Sequence, residues 1–91
     1  MDYTSQIILR LQKQHQKAVE QYAHLLNTQF ERRLDATILR ILFREESSSL
    51  EELELAMYEQ EVVYTELRTL DAQIIWLRNE IEQIDLALDT L

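Results

Sequence analysis

LELAMYEQEVVYTELRTLDAQIIWLRNEIEQIDLALDTL, residues 53–91, places an apolar residue at alternating steps of three and four. Leu53, Ala56, Gln60, Val63, Leu67, Leu70, Ile74, Leu77, Ile81, Ile84, Leu88 and Leu91 fall on this repeat, and eleven of the twelve are apolar across more than five heptads. A period of 3.5 residues lines one face of an α-helix and winds it into a left-handed supercoil against a partner helix. Leu53, Val63, Leu67, Leu70, Ile74, Leu77, Ile81, Ile84 and Leu88 are therefore the expected core seam. Gln60, the polar exception, either sets the register, as polar residues at such positions can, or lies near a hairpin end and reaches water.

Upstream, Ser47-Ser48-Ser49 is the only turn-like cluster. Serine competes with the helix for backbone hydrogen bonds, which disfavours it in helix interiors and favours it at caps. Ser48 with Glu51 and Ser49 with Glu52 form overlapping capping boxes. Glu51, Glu52 and Glu54 then suit the positive end of a helix dipole, and Arg40 and Arg44 suit the negative end of the preceding helix. These signals predict a first helix over about 4–45, a turn at about 46–49 and a second helix over about 50–90, together one helical-hairpin domain.

Composition agrees with an all-α fold. Gly and Pro are both absent from the 91 residues. Gly supplies positive φ and Pro pre-sets turns, so a chain without either makes few sharp reversals. A helical hairpin needs one reversal, whereas β and α/β folds need many. The chain is 46% hydrophobic, far too apolar for a disordered one.

The first helix has a looser stripe: Ile8, Leu11, His15, Val19, Tyr22, Leu26, Phe30, Leu34, Thr37 and Ile41. Ile8, Val19, Phe30 and Ile41 are spaced by eleven, a period that drifts differently from the heptads of the second helix. The bulk of Tyr22 and Phe30 fits a bundle better than a simple zipper.

Apolar residues also stand off the seam. Leu55, Tyr58, Val62, Ala72, Trp76 and Leu86 occupy positions turned away from it, and Ile75 beside Trp76 makes the helix apolar nearly all round there. Ile38, Leu39, Ile41, Leu42 and Phe43 do the same for the first helix. Burying a large apolar side chain contributes about 1.5–3 kcal/mol, so exposed ones gathered in a patch mark an association surface. Leu55, Tyr58, Val62, Ile75, Trp76, Leu42 and Phe43 are the expected interface residues. A homodimer forming a four-helix bundle, a helical protein partner, or both, would cover them. Tyr64 is a further candidate anchor beside Trp76.

The chemistry-bearing residues point away from catalysis. With no Cys there is no thiolate nucleophile, disulfide or Cys-based zinc site. His15 and His24 lie nine residues apart, which turns them about 180° from each other on a helix, so they cannot share a metal. No Glu-x-x-His motif of the di-iron bundle kind occurs. Ser47 to Ser49 have no nearby His base, and there is no Gly-rich loop for phosphates. The expectation is no enzyme, no metal, no cofactor and no small-molecule substrate.

The net charge of −8 is uneven: residues 1–45 carry +2 and residues 46–91 carry −10. Nucleic acid and anionic membrane would be repelled by the second half, so neither is an expected partner. Arg32, Arg33, Arg40 and Arg44 are expected to face the acidic second helix and favour an antiparallel pairing. No secretory signal is visible at the amino terminus, and the longest strongly apolar run, Ile74 to Leu77, is far short of the roughly 20 residues of a membrane span. A soluble, cytoplasmic chain is expected. The function that fits is a non-enzymatic protein–protein interaction module, an adaptor or assembly subunit acting by helix-bundle completion. The alternative is a small helical chaperone keeping a secreted or assembling helical client soluble.

Overall fold

The structure, a computed structural model, describes residues 2–44 and 49–91, with the side chains of Phe43 and Arg44 outside the description. It is a hairpin of two long helices, α1 over Tyr3–Arg44 and α2 over Leu50–Thr90. The described residues form no strand. Of the expected turn, residues 46–48 lie outside the described residues, and so does the Ser48 cap.

Both helices begin on a side-chain cap. Asp2 Oδ1 accepts the Ser5 backbone N–H at 2.7 Å, and the Asp2 carbonyl accepts that of Gln6 at 3.3 Å. The first turn of a helix has unpaired N–H groups, and a short acidic side chain satisfies one of them while complementing the dipole. The same hydrogen bond holds the Asp2 carboxyl below its ordinary range. At α2, Ser49 Oγ accepts the Glu52 N–H at 3.3 Å and the Ser49 carbonyl accepts that of Leu53 at 3.0 Å.

The chain divides into a terminal unit, residues 1–26 with 72–91, and a central unit, residues 27–71. In the terminal unit α2 turns Ile74, Leu77, Ile81, Ile84 and Leu88 inward, with Ile74, Leu77 and Ile84 buried, while Leu91 is exposed. Against them α1 sets Ile8, Leu11, His15, Ala18, Tyr22 and Leu25. His15 Nε2 lies 2.8 Å from Asp85 Oδ1 at the rim of this contact, an ion pair when the imidazole is protonated.

In the central unit α2 turns Leu53, Ala56, Gln60, Val63, Leu67 and Leu70 inward, of which only Val63 is buried. Gln60 donates to Tyr64 Oη at 3.3 Å. The facing residues of α1 are Gln29, Arg32, Ala36 and Leu39, with Ala36 only 4% exposed. Gln29 donates to Asp71, and Arg32 bridges Asp35 at 2.9 Å and Glu66 at 3.1 Å. In each unit the cross-helix pairs join a residue to one whose number brings the sum to 98–100, an antiparallel register.

The inward face of α1 differs from the stripe expected from its sequence. Ile8, Leu11, His15 and Tyr22 do turn inward. Val19, Leu26, Phe30, Leu34, Thr37 and Ile41 do not, and Phe30 is 62% exposed. The residues that do pack, from Ile8 through Ala18, Leu25, Arg32 and Leu39, keep the three-four alternation of α2. The reason is geometric. A partner wound on a 3.5-residue period meets only residues repeating on that period, and an eleven-residue repeat drifts off the contact. Small Ala18 and Ala36 then let the helices approach where large side chains would hold them apart.

Candidate functional site

In the heptad notation of α2, the seam occupies positions a and d, and the outer face occupies c and f. Within the central unit, past Glu51 in the first turn of α2, the outer positions are Leu55, Tyr58, Val62, Thr65 and Thr69, every one of them exposed. Tyr58, at 67% exposure, keeps most of its surface open. None is charged, although Glu52, Glu59 and Glu66 border the stripe on one side and Glu54, Glu61 and Arg68 on the other. The threonines add to its apolar character. Thr65 Oγ1 donates to the Glu61 carbonyl at 2.9 Å and Thr69 Oγ1 to the Thr65 carbonyl at 3.2 Å, so each hydroxyl donor is taken up by its own helix. A solvent-facing helix surface ordinarily carries charge. An uncharged face repeating every 3.5 residues has the pattern of a second seam.

α1 carries a counterpart in the same unit. Asn27, Phe30, Leu34, Thr37 and Ile41 share an outer face and are exposed, with Arg33 and Arg40 along one border and Glu31 and Ile38 along the other. Thr37 Oγ1 likewise donates to the Arg33 carbonyl at 2.9 Å. Leu42 is exposed, and the side chain of Phe43 lies outside those described. A groove of about 410 Å³ runs beside the Arg32, Asp35 and Glu66 cluster, where Ile38, Leu39, Tyr58, Val62 and Val63 supply an apolar lining.

The terminal unit offers a larger groove, about 830 Å³, lined by Leu25, Ala72, Trp76 and Leu77 and walled by Lys17, Glu20 and His24. Trp76 is 66% exposed, so most of its indole surface is open. Ile75 is also exposed, yet it does not line this groove. Adjacent helical residues diverge by about 100°, which separates the two side chains onto different faces.

The expected interface residues Leu55, Tyr58, Val62, Leu42, Ile75 and Trp76 are thus all exposed, distributed between the two units rather than gathered in one patch. Phe30, Leu34 and Ile41, on the apolar stripe of α1, belong with the outer surface too. On α2 the charge pattern separates the outer face from the seam, whereas on α1 it does not, since Arg32 lies on the seam. Every charged residue of α2 from Glu54 onward sits at b, e or g, so the heptad frame leaves both a/d and c/f free of charge.

Among the described residues no group of three or more His, Cys, Asp or Glu side chains is placed to hold a metal ion, and no helix is long and apolar enough to cross a membrane. Comparison with protein families, characterised proteins and solved structures finds no match.

Proposed function

We propose that this chain is a non-enzymatic interaction module that works by helix-bundle completion, with helices of a second copy or of a protein partner covering its outer faces. The observation that carries this reading is the uncharged c/f stripe of α2, in which Leu55, Tyr58 and Val62 stand exposed on a helix otherwise dense in charge. Water solvates such a stripe poorly, and packing a second helix on it recovers the burial that the hairpin forgoes. Further hairpins, or a helix of a protein partner, would do so.

Glutamine at Leu55, Tyr58 and Val62 tests the reading, because Gln keeps helix propensity while removing the apolar surface. The triple variant should retain the far-ultraviolet helical signal and lose association in sedimentation velocity and in capture of its partner. A variant that remains fully associated would remove this stripe from the function. In the terminal unit, Trp76→Ala should likewise keep helicity and weaken association. Loss of helicity with association intact would assign Trp76 to the fold instead.

A further inference from the structure

Resting on the interaction reading above, we propose that the outer α2 stripe of the central unit takes the outer α1 stripe of a second copy of this chain, docked antiparallel. Asn27, Phe30, Leu34, Thr37 and Ile41 advance by three, four, three and four residues, and so do Leu55, Tyr58, Val62, Thr65 and Thr69. Two helices with equal stripes on this period interdigitate along their whole length. Aligned antiparallel on Leu34 and Val62, the stripes set Ile41 against Leu55, Thr37 against Tyr58, Phe30 against Thr65 and Asn27 against Thr69. Apolar side chains thereby meet at one end, and the amide of Asn27 meets a hydroxyl at the other.

Charge selects the partner. Arg33 and Arg40 border the α1 stripe seven residues apart, and Glu61 and Glu54 border the α2 stripe at the same interval. In the antiparallel register Arg33 opposes Glu61 and Arg40 opposes Glu54. Among the described residues none of these four forms an ion pair within its own chain. On the other border Ile38 lies near Glu59, and Glu31 falls across from Glu66, a like-charge approach that Arg32, shared between Glu66 at 3.1 Å and Asp35 at 2.9 Å, offsets in part. Pairing α2 with α2 would instead set the all-acidic border of Glu59 and Glu66 against itself, and pairing α1 with α1 would oppose Arg33 and Arg40 to their own copies. A foreign helix with basic borders would fit α2 equally in kind. This chain already contains one, matched in length, spacing and charge.

At 3.5 residues per turn each outer stripe stands about 150° round its helix from the seam, so the two stripes open on opposite edges of the paired helices. One contact leaves an α1 edge and an α2 edge free. The contact is therefore heterologous, and it continues to a third copy unless a ring closes. Two copies place four helices in one layer, with open edges, rather than in a sealed pair.

Sedimentation velocity on the full chain over rising concentration is the test, with circular dichroism confirming that each variant remains helical. The native chain should grow past the dimer. Arg33→Glu with Arg40→Glu, and separately Glu54→Arg with Glu61→Arg, should each raise the concentration for half-association about tenfold or more. An equimolar mixture of the two variants should restore growth, because each now presents the edge that the other lacks. A native chain that stops at a closed dimer, a charge-reversed variant that assembles like the native chain, or a mixture that stays dissociated would overturn the proposal. A native chain that stays monomeric would overturn it too. If that chain still captured a different helical protein through Leu55, Tyr58 and Val62, the interaction reading would stand without it.

Discussion

The terminal and central units of this hairpin make opposite use of their apolar residues. The terminal unit buries Ala18, Ile74, Leu77 and Ile84, with Leu77 4% exposed, whereas the central unit buries Ala36 and Val63. Of the nineteen large apolar residues that stand exposed among those described, eleven belong to the central unit, from Phe30 and Leu34 to Val62 and Tyr64. The cause lies in α1. Its seam in the terminal unit offers Ile8, Leu11, His15, Ala18, Tyr22 and Leu25, and in the central unit it offers Gln29, Arg32, Ala36 and Leu39. Buried apolar surface therefore concentrates in one unit, and exposed apolar surface concentrates in the other. In the central unit α1 places Phe30, Leu34 and Ile41 outside and Gln29 and Arg32 inside.

The strongest way to break this comparison is to truncate the two seams in turn. Leu77→Ala or Ile74→Ala removes a well-packed side chain of the terminal unit and should cost about 2–5 kcal/mol in urea denaturation. Leu67→Ala, on the partly exposed seam of the central unit, should cost less than either. Equal losses at the two places would show that the central seam is packed as well as the terminal one. Measuring all three in the Arg33→Glu and Arg40→Glu background keeps association from masking the difference.

A smaller effect belongs to the start of α2. Ser49→Ala removes the acceptor of the Glu52 N–H and should lower stability by about 1 kcal/mol, while Ser49→Gly should cost only a few tenths. Thermal melts followed by circular dichroism resolve the two, and identical melts would mean that Ser49 does not cap the helix in solution.

The smallest effect lies at the start of α1, in the terminal unit. Asp2 is held below its ordinary value of 3.8 by the Ser5 N–H. A depressed carboxyl favours the folded helix above that ordinary value, and the contribution disappears as pH falls through the lower, folded-state value. Acidification should fray the first turn of α1 in the native chain more than in Asp2→Asn, which keeps an acceptor oxygen without titrating. Amide chemical shifts of Ser5 and Gln6 followed through the acid range measure it, and a pH-independent native chain would break the assignment.

Much of α2 was legible from its residues. Its seam is nearly all apolar and holds one period from Leu53 to Leu88, and the residues of α2 that turn inward follow that period closely. The cap at Ser49 was legible as well, because serine three residues before glutamate at the head of an apolar repeat has few other uses. The Asp2 cap was missed, although a short acidic side chain three residues ahead of Ser5 is the same kind of signal. The outer α1 residues carry no such mark, because the size of an apolar side chain does not say which partner buries it.

By itself, then, the sequence determined that the chain is helical, with neither Gly nor Pro to turn it often, and that α2 carries an apolar heptad repeat interrupted at Gln60. Which face of α1 meets that seam was decided only by tertiary structure. α1 has two candidate stripes, and the larger side chains, at Phe30, Leu34 and Ile41, lie on the one that loses. An isolated helix has no means of choosing between them, because its backbone hydrogen bonds are the same whichever face is covered. The choice comes from α2. Its heptads meet the stripe that packs along the whole of α1, through Ile8, Ala18, Arg32 and Leu39, whereas the stripe of Phe30, Leu34 and Ile41 continues upstream into Glu20, Gln16 and Lys13.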